Sequence, residues 1–213
     1  MKFVVKYFSE IAIKSKPVRR RFVGQLADNL RAILRDIDPD VVVQRSWDKL
    51  QVETCLEDPA LHRAMVEAMS NAPGITYILE VEEHPLPELD EIVEHVLPVY
   101  EQLLEGRNFA VRCKRTGQHP FTSVDIERKV GGALLAMTGA AGVQLKSPEV
   151  TVDLEISKDR LFVIARRHHG IGGYPIGSID PVLSLISGGF DSPVASYLTM
   201  KRGMRTHFLF FNL

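Results

Sequence analysis

One short stretch limits what this chain can fold into more than any other: Val182-Leu-Ser-Leu-Ile186 followed at once by Ser187-Gly-Gly-Phe-Asp-Ser-Pro193. A short, mostly apolar segment closed by a turn signal predicts a strand of a parallel sheet. Gly188 and Gly189 can take positive φ, so successive backbone N–H groups can turn toward one point and an anion can approach without meeting a Cβ. Ser192 reads as an N-cap and Pro193 as a first helical residue, which aims the positive end of a helix at the same point. The hydroxyls of Ser187 and Ser192 can add hydrogen bonds to phosphate. Asp191 can hold a magnesium ion or orient a nucleotide. Any strand-to-helix turn can carry two glycines, but Ser, Asp, Ser and Pro beside them point to the phosphates of a nucleotide. The Walker A pattern is excluded, because it needs a longer loop closing on Gly-Lys-Ser/Thr.

The rest of the 213 residues carry charge unevenly, although the formal net charge is −1. From Lys2 to Arg35 nine Lys or Arg stand against Glu10 and Asp28. From Glu80 to Glu105 nine acids stand with no Lys or Arg. Such segregation predicts a basic face for a polyanion and an acidic side turned from it. The first residues alternate apolar and charged too early for a signal peptide. The longest run of low polarity, 130–143, is too short and glycine-rich to span a bilayer. Cys55 and Cys113 show no metal or disulfide spacing, so neither a metal site nor a disulfide framework is expected. A protein of the cytoplasm, away from membranes, is the expectation.

Residues 2–8 read as a strand and 17–37 as a helix with its apolar stripe at 18, 22, 26, 30, 33 and 37. Arg19, Arg20, Arg21, Arg31 and Arg35 lie mostly off that stripe, either as a solvated face or as contacts to an RNA backbone. Strands at 41–45 and 50–54 joined by a turn at Trp47-Asp48, then a helix capped by Asp58, complete a small α+β unit. Trp47 suits a core better than an RNA base. Residues 88–104 have helical spacing around Pro98, which should kink or split the helix. A strand ending in Arg112, Lys114 and Arg115 then meets the loop of Thr116, Gly117, His119 and Phe121. Thr122 and Asp125 signal a helix start. Arg112, Lys114, Arg115 and Lys129 are candidates for phosphate contacts, and His119 or Phe121 for stacking on an unpaired base. Phe121 is equally well placed as a core residue. A hairpin at 151–156 and 161–165 turns at Lys158-Asp159, and Gly170 to Gly177 reads as a linker.

Taken together, the motifs resemble those of a known family. Ser-Gly-Gly-Phe-Asp-Ser is similar to the PP-loop of ATP pyrophosphatases. Its company here is Val111-Arg-Cys-Lys-Arg-Thr-Gly117, Ser123-Val-Asp-Ile-Glu-Arg128 and Gly170-Ile-Gly-Gly-Tyr-Pro-Ile-Gly177. The whole resembles the bacterial tRNA 4-thiouridine synthetase, or tRNA sulfurtransferase, family. The resemblance implies an α+β chain with a ferredoxin-like domain at 1–72, an α/β THUMP RNA-binding domain at 73–168, a linker at 169–181 and the truncated start of a doubly wound PP-loop domain at 182–213. It implies 4-thiouridine formation at uridine 8 of tRNA: ATP adenylates the uracil carbonyl oxygen with loss of pyrophosphate, and a persulfide sulfur then displaces AMP. It also implies sulfur donation for the thiazole of thiamine. The partners implied are tRNA, a cysteine desulfurase, a thiamine-pathway sulfur carrier protein and a second copy of the chain. Leu185, Ile186, Ser187, Gly188, Gly189, Asp191 and Ser192 would hold ATP, with magnesium, Asp191 would be catalytic, and Phe210 and Phe211 would line the nucleotide side. Because one strand, one helix and the start of a second strand make too little of a doubly wound sheet, the chain alone is expected to bind RNA without thiolating it. A stand-alone THUMP-type tRNA-binding module and another PP-loop ligase are the alternative readings.

Overall fold

The computed structural model describes residues 1–46, 49–55 and 57–211, so the Trp47-Asp48 turn and the placement of Trp47 lie outside the described residues. The chain divides into two compact units, residues 1–79 with 167–213, and residues 80–166.

The first unit begins β1 (Lys2–Tyr7), α1 (Ser9–Ala12), α2 (Lys16–Arg35), β2 (Val42–Arg45), β3 (Leu50–Glu53), α3 (Pro59–Ser70) and the start of β4 (Ile75–Pro85). Strands β1 and β2 both pair antiparallel with β3, with Phe3 and Val43 each opposite Val52, and the strand order is β2-β3-β1-β4. This β-α-β-β-α-β order is the ferredoxin-like arrangement. Helices α2 and α3 bury their apolar stripes against Phe3, Val5, Leu50 and Val52. On α2 the stripe runs Phe22, Leu26, Leu30 and Leu34, all buried, whereas Ile33 is 38 % exposed. The helical period of 3.6 places residue 34, not 33, above residue 30. Asp58 caps α3 by accepting from Ala60 N at 2.7 Å, as its position before Pro59 predicts.

The later part of the same unit, which includes the segment read as a linker, packs against the elements before it. The strand β8 (Arg160–Gly172) runs through His168 and His169 into the glycine-bearing segment. Gly170 packs so closely on β4 that a Cβ there would lie 2.4 Å from Ile75 O. Tyr174 sets its ring edge-on against Phe8 and Phe22, and its phenol hydrogen-bonds Glu10. Asn29 Nδ2 and Arg21 Nη2 donate to the carbonyls of Ile176 and Ser178 at 3.0 and 3.3 Å. Gly170 and Gly173 supply close approach, and Gly172, Gly173 and Gly177 also take positive φ, at +70°, +78° and +89°. From this anchored segment the chain enters β9 (Val182–Ile186), α6 (Asp191–Lys201) and β10 (Thr206–Phe210), with β9 and β10 parallel as a crossover demands.

The second unit takes the remainder of β4, α4 (Ile92–Leu104), β5 (Asn108–Thr116), α5 (Ser123–Met137), β6 (Gly142–Val143), β7 (Val150–Ser157) and the first half of β8. Its strand order is β8-β7-β5-β6. The β7–β8 hairpin is antiparallel and turns at Lys158, whose φ is +57°, while β5 pairs parallel with β6 and β7. The core is filled by Ile92, Val96, Tyr100 and Leu104 from α4, Ile126, Val130 and Leu134 from α5, and alternate residues of β5 and β7. Pro98 does not split α4, which continues through it. Tyr100 is buried with its hydroxyl satisfied: it donates to Ile164 O and accepts from Asp153 N at 3.2 Å. Among the described residues no helix is long and apolar enough to cross a membrane.

Candidate nucleotide and nucleic-acid sites

Residues 186–193 form the tight β9-to-α6 turn expected for them, but by a different route. Neither Gly188 nor Gly189 has positive φ. Helix α6 starts at Asp191 with Phe190 at the N-cap, so Ser192 lies inside the first turn and is not the cap. Its hydroxyl instead turns back across the loop: Ser187 N donates to Ser192 Oγ at 3.1 Å, and the two hydroxyls lie 3.2 Å apart. Two serines five residues apart thus staple the loop shut and leave its outer rim open. A Cβ at Gly188 would meet no atom within 4 Å, and Gly189 N lies 3.4 Å from Ser187 Oγ. The glycines contribute clearance over an exposed backbone.

Asp191 is exposed in the first turn of α6. Among the described residues no group of three or more His, Cys, Asp or Glu side chains converges. Magnesium is held through one or two carboxylates plus substrate phosphates, and the lone Asp191 beside the open loop suits that mode. Leu185 and Ile186 end β9, and Phe210 stands directly opposite Ile186 on β10. The carboxyl ends of parallel strands are where open α/β sheets take their ligands. Phe210 and Phe211 are both more than 60 % exposed there. One residue the sequence reading passed over is Phe190, 92 % exposed at the loop's tip. An aromatic between glycine and an acid at a loop tip is its only sequence signal.

The basic residues separate into those spent on the fold and those presented outward. In the second unit, Arg112 donates to the carbonyls of Val111 and Leu145 at 3.1 and 2.7 Å. Arg115 Nη1 reaches Gly117 O at 3.2 Å and His119 Nδ1 at 3.0 Å, while His119 Nε2 donates to Lys158 O at 2.6 Å. His119 is therefore the Nε2–H tautomer in this arrangement. It stacks on Phe121 with ring centroids 5.5 Å apart, and Phe121 is partly buried on the core. Gly117, at φ +114°, makes the turn that brings these groups together. Thr116 Oγ1 donates to Ile156 O at 3.3 Å, and Lys129 pairs with Asp90 at 2.6 Å on the surface. Lys114 is exposed at the edge of β5.

The helix start behind this loop is a full capping box. Asp125 N donates to Thr122 Oγ1 at 3.2 Å and Thr122 N donates to Asp125 Oδ2 at 2.8 Å. Those Thr122 donors hold the Asp125 carboxyl below its usual range. Cys113 is buried beside Glu127, whose Oε1 accepts from Cys113 N at 2.9 Å. Burial, then the neighbouring Glu127, pushes its thiol up to about 12, which rules out a thiolate nucleophile near neutral pH.

In the first unit, Arg21 donates to Ser178 O and Arg19 to Ala12 O, both at 3.3 Å, and Arg19 also lines a cavity with Lys16, Arg20, Val23, Arg45 and Ser46. Of the three consecutive arginines 19–21, Arg21 thus serves the connector.

Comparison with known proteins agrees with this layout. Residues 2–78 match the ThiI ferredoxin-like domain, 87–165 the THUMP domain, and 177–213 the thiamine biosynthesis protein (ThiI) family. A tRNA sulfurtransferase of Azotobacter vinelandii is 55 % identical over all 213 residues, and one of Pseudomonas aeruginosa 54 %. The chain spans 44 % of the length of each. Two solved structures share the fold. PH1313 from Pyrococcus horikoshii aligns with 98 % of this chain and 68 % of its own, at TM-score 0.77 and 23 % identity. A 4-thiouridine synthetase–RNA complex with bound ATP aligns with 99 % of this chain and 52 % of its own, at TM-score 0.76 and 22 % identity.

Proposed function

We propose, from the premise that this chain belongs to the tRNA sulfurtransferase family, that it carries tRNA to an ATP-dependent sulfur-transfer site. The ferredoxin-like and THUMP regions, 1–72 and 73–168, bind the tRNA, and the segment 169–181 ties them to the PP-loop region 182–213. Support comes from the serine-stapled loop between β9 and α6, an exposed anion cradle at the carboxyl ends of two parallel strands. It is reinforced by the relative that was solved with both RNA and ATP.

The backbone around Gly188 and Gly189, with Ser187 and Ser192, grips the phosphates of ATP. Asp191 would orient the nucleotide and would hold a magnesium ion, which would supply charge neutralisation for the phosphates. Leu185, Ile186, Phe210 and Phe211 line the nucleotide side. In the whole protein the uracil oxygen of uridine 8 attacks the α-phosphorus and pyrophosphate leaves. The terminal sulfur of a persulfide charged by a cysteine desulfurase then attacks the activated carbon as AMP departs, and a second thiolate cleaves the sulfur–sulfur bond, leaving a disulfide on the sulfur carrier and the thiocarbonyl on the uracil. A carbonyl oxygen leaves poorly and an adenylate leaves well, which is why ATP is required. The same sulfur can pass to a carrier protein for the thiamine thiazole. The working form is a cytoplasmic homodimer.

On this reading residues 1–213 bind tRNA, and among the described residues β9 and β10 pair only with each other, fewer strands than a doubly wound site for thiolation needs. Arg19, Arg20, Lys114 and Lys129 supply phosphate contacts, while Arg21, Arg112, Arg115, Thr116, Gly117, His119 and Phe121 shape the surfaces that present them. The test is binding of a tRNA transcript by the purified chain over a salt series. A log–log slope of about −0.7 to −0.9 per phosphate contact is expected, and Lys114→Gln should make it shallower by one contact. Equal binding of tRNA and a neutral polymer at low salt would overturn the reading.

A further inference from the structure

The first two turns of α2 are built against their own stability. Lys16, Arg19 and Arg20 stand at helical spacing i, i+3, i+4 on one face, and the first turn holds no acid. Like charges at these spacings repel. Cations at a helix N-terminus also oppose the macrodipole. A fourth cation is brought in from a separate element: Arg45, at the end of β2, lies over α2 at Gly24.

Gly24 is buried in the middle of that helix, where glycine is disfavoured relative to alanine. A Cβ at this position would lie 3.1 Å from Arg45 Nη1. The missing side chain gives the guanidinium its berth. Among the described residues, Lys16, Arg19, Arg20, Val23, Arg45 and Ser46 line an open cup of about 540 Å³. Four cations from two elements thus line one concave surface, and a helix glycine clears the way for one of them.

We infer that this cup on α2 and β2 is a phosphate seat for the RNA backbone, separate from the basic edge of the THUMP region. Lys16 and Arg45 belong to it as well as Arg19 and Arg20. The inference rests on the tRNA-binding reading and adds a defined second point of attachment. Two attachment points on one RNA raise the effective concentration of each for the other, so losing the cup weakens binding without abolishing it.

The experiment measures tRNA binding by the full chain at graded salt for wild type, Arg20→Gln/Arg45→Gln, Arg45→Lys and Lys114→Gln, with circular dichroism melting to verify folding. The double variant should lose about tenfold in affinity, and its log–log slope should shrink by about 1.4 to 1.8, the value for two contacts. Arg45→Lys should keep the slope, since phosphate needs only the charge. If the double variant melts early, single Arg45→Gln decides, with the slope expected to shrink by about 0.7 to 0.9 for one contact. An unchanged slope in folded variants, with wild type and Lys114→Gln behaving as above, overturns the cup and leaves tRNA binding standing. Failure of wild type to prefer tRNA defeats both readings. Tripolyphosphate binding that needs Arg45, with no change in tRNA slope, overturns the inference in favour of a free polyphosphate.

Discussion

The phenol of Tyr174 donates a hydrogen bond to the carboxyl of Glu10, joining residues 164 apart in sequence. The same ring lies edge-on to Phe8 and Phe22 at 6.1 and 5.7 Å. The segment preceding the PP-loop is thereby fastened to α1 and α2 rather than strung between domains.

Tyr174→Phe keeps the ring packing and removes the hydroxyl, so it should cost about 1 kcal/mol. The hydrogen bond to Glu10 raises the Tyr174 pKa above its ordinary value of 10.0. A raised pKa gives stability that is present below the unfolded value and lost as pH rises through the folded one. Thermal melts at pH 7 and above pH 10 should therefore differ less for Tyr174→Phe than for wild type.

Gly203 has φ +89°, and a Cβ there would sit 1.7 Å from Tyr174 O. Gly203→Ala cannot be absorbed by a side-chain shift, because the obstacle is backbone. The variant should lose at least about 1–3 kcal/mol. Early protease cleavage between Gly170 and Ser178 is the sign to look for; an intact connector in a folded variant would contradict the packing described.

The two cysteines should react at different rates. Cys55 is exposed and Cys113 is buried with its thiol pushed up to about 12. Iodoacetamide at pH 8 should add one label to the folded chain and two in denaturant, read by mass spectrometry. The sign of the linkage follows from the raised pKa: Cys113 contributes stability below the ordinary thiol value of 9.0, and it is lost as pH climbs toward about 12. Cys113→Ala should flatten that alkaline decline.

Thr122→Ala removes the acceptor for Asp125 N and one of the donors to Asp125 Oδ2. Loss of such a cap costs about 0.5–2 kcal/mol. The loop that carries His119 and Phe121 leads directly into this cap, so tRNA affinity should fall along with the melting temperature. Thr122→Ser should restore both.

Local pattern determined much of this protein. Apolar residues at helical spacing specified α2, α4 and α5, Asp58 and Thr122 marked two helix starts, and the apolar run before Ser187 marked β9, because inward-facing periodicity and capping depend on a few neighbouring residues. The motifs carried the family for the same reason, being contiguous. Tertiary structure alone decided that Arg21 serves Ser178 while Arg20 lines a cup with Arg45, that Gly24 clears space for that arginine, and that the glycines of 170–177 dock instead of flexing. It also turned Ser192 from a cap into a staple on Ser187. Each of these outcomes depends on which distant backbone or side chain arrives within a few ångströms, and only closure of the fold, with its loop entropy already spent, sets that distance.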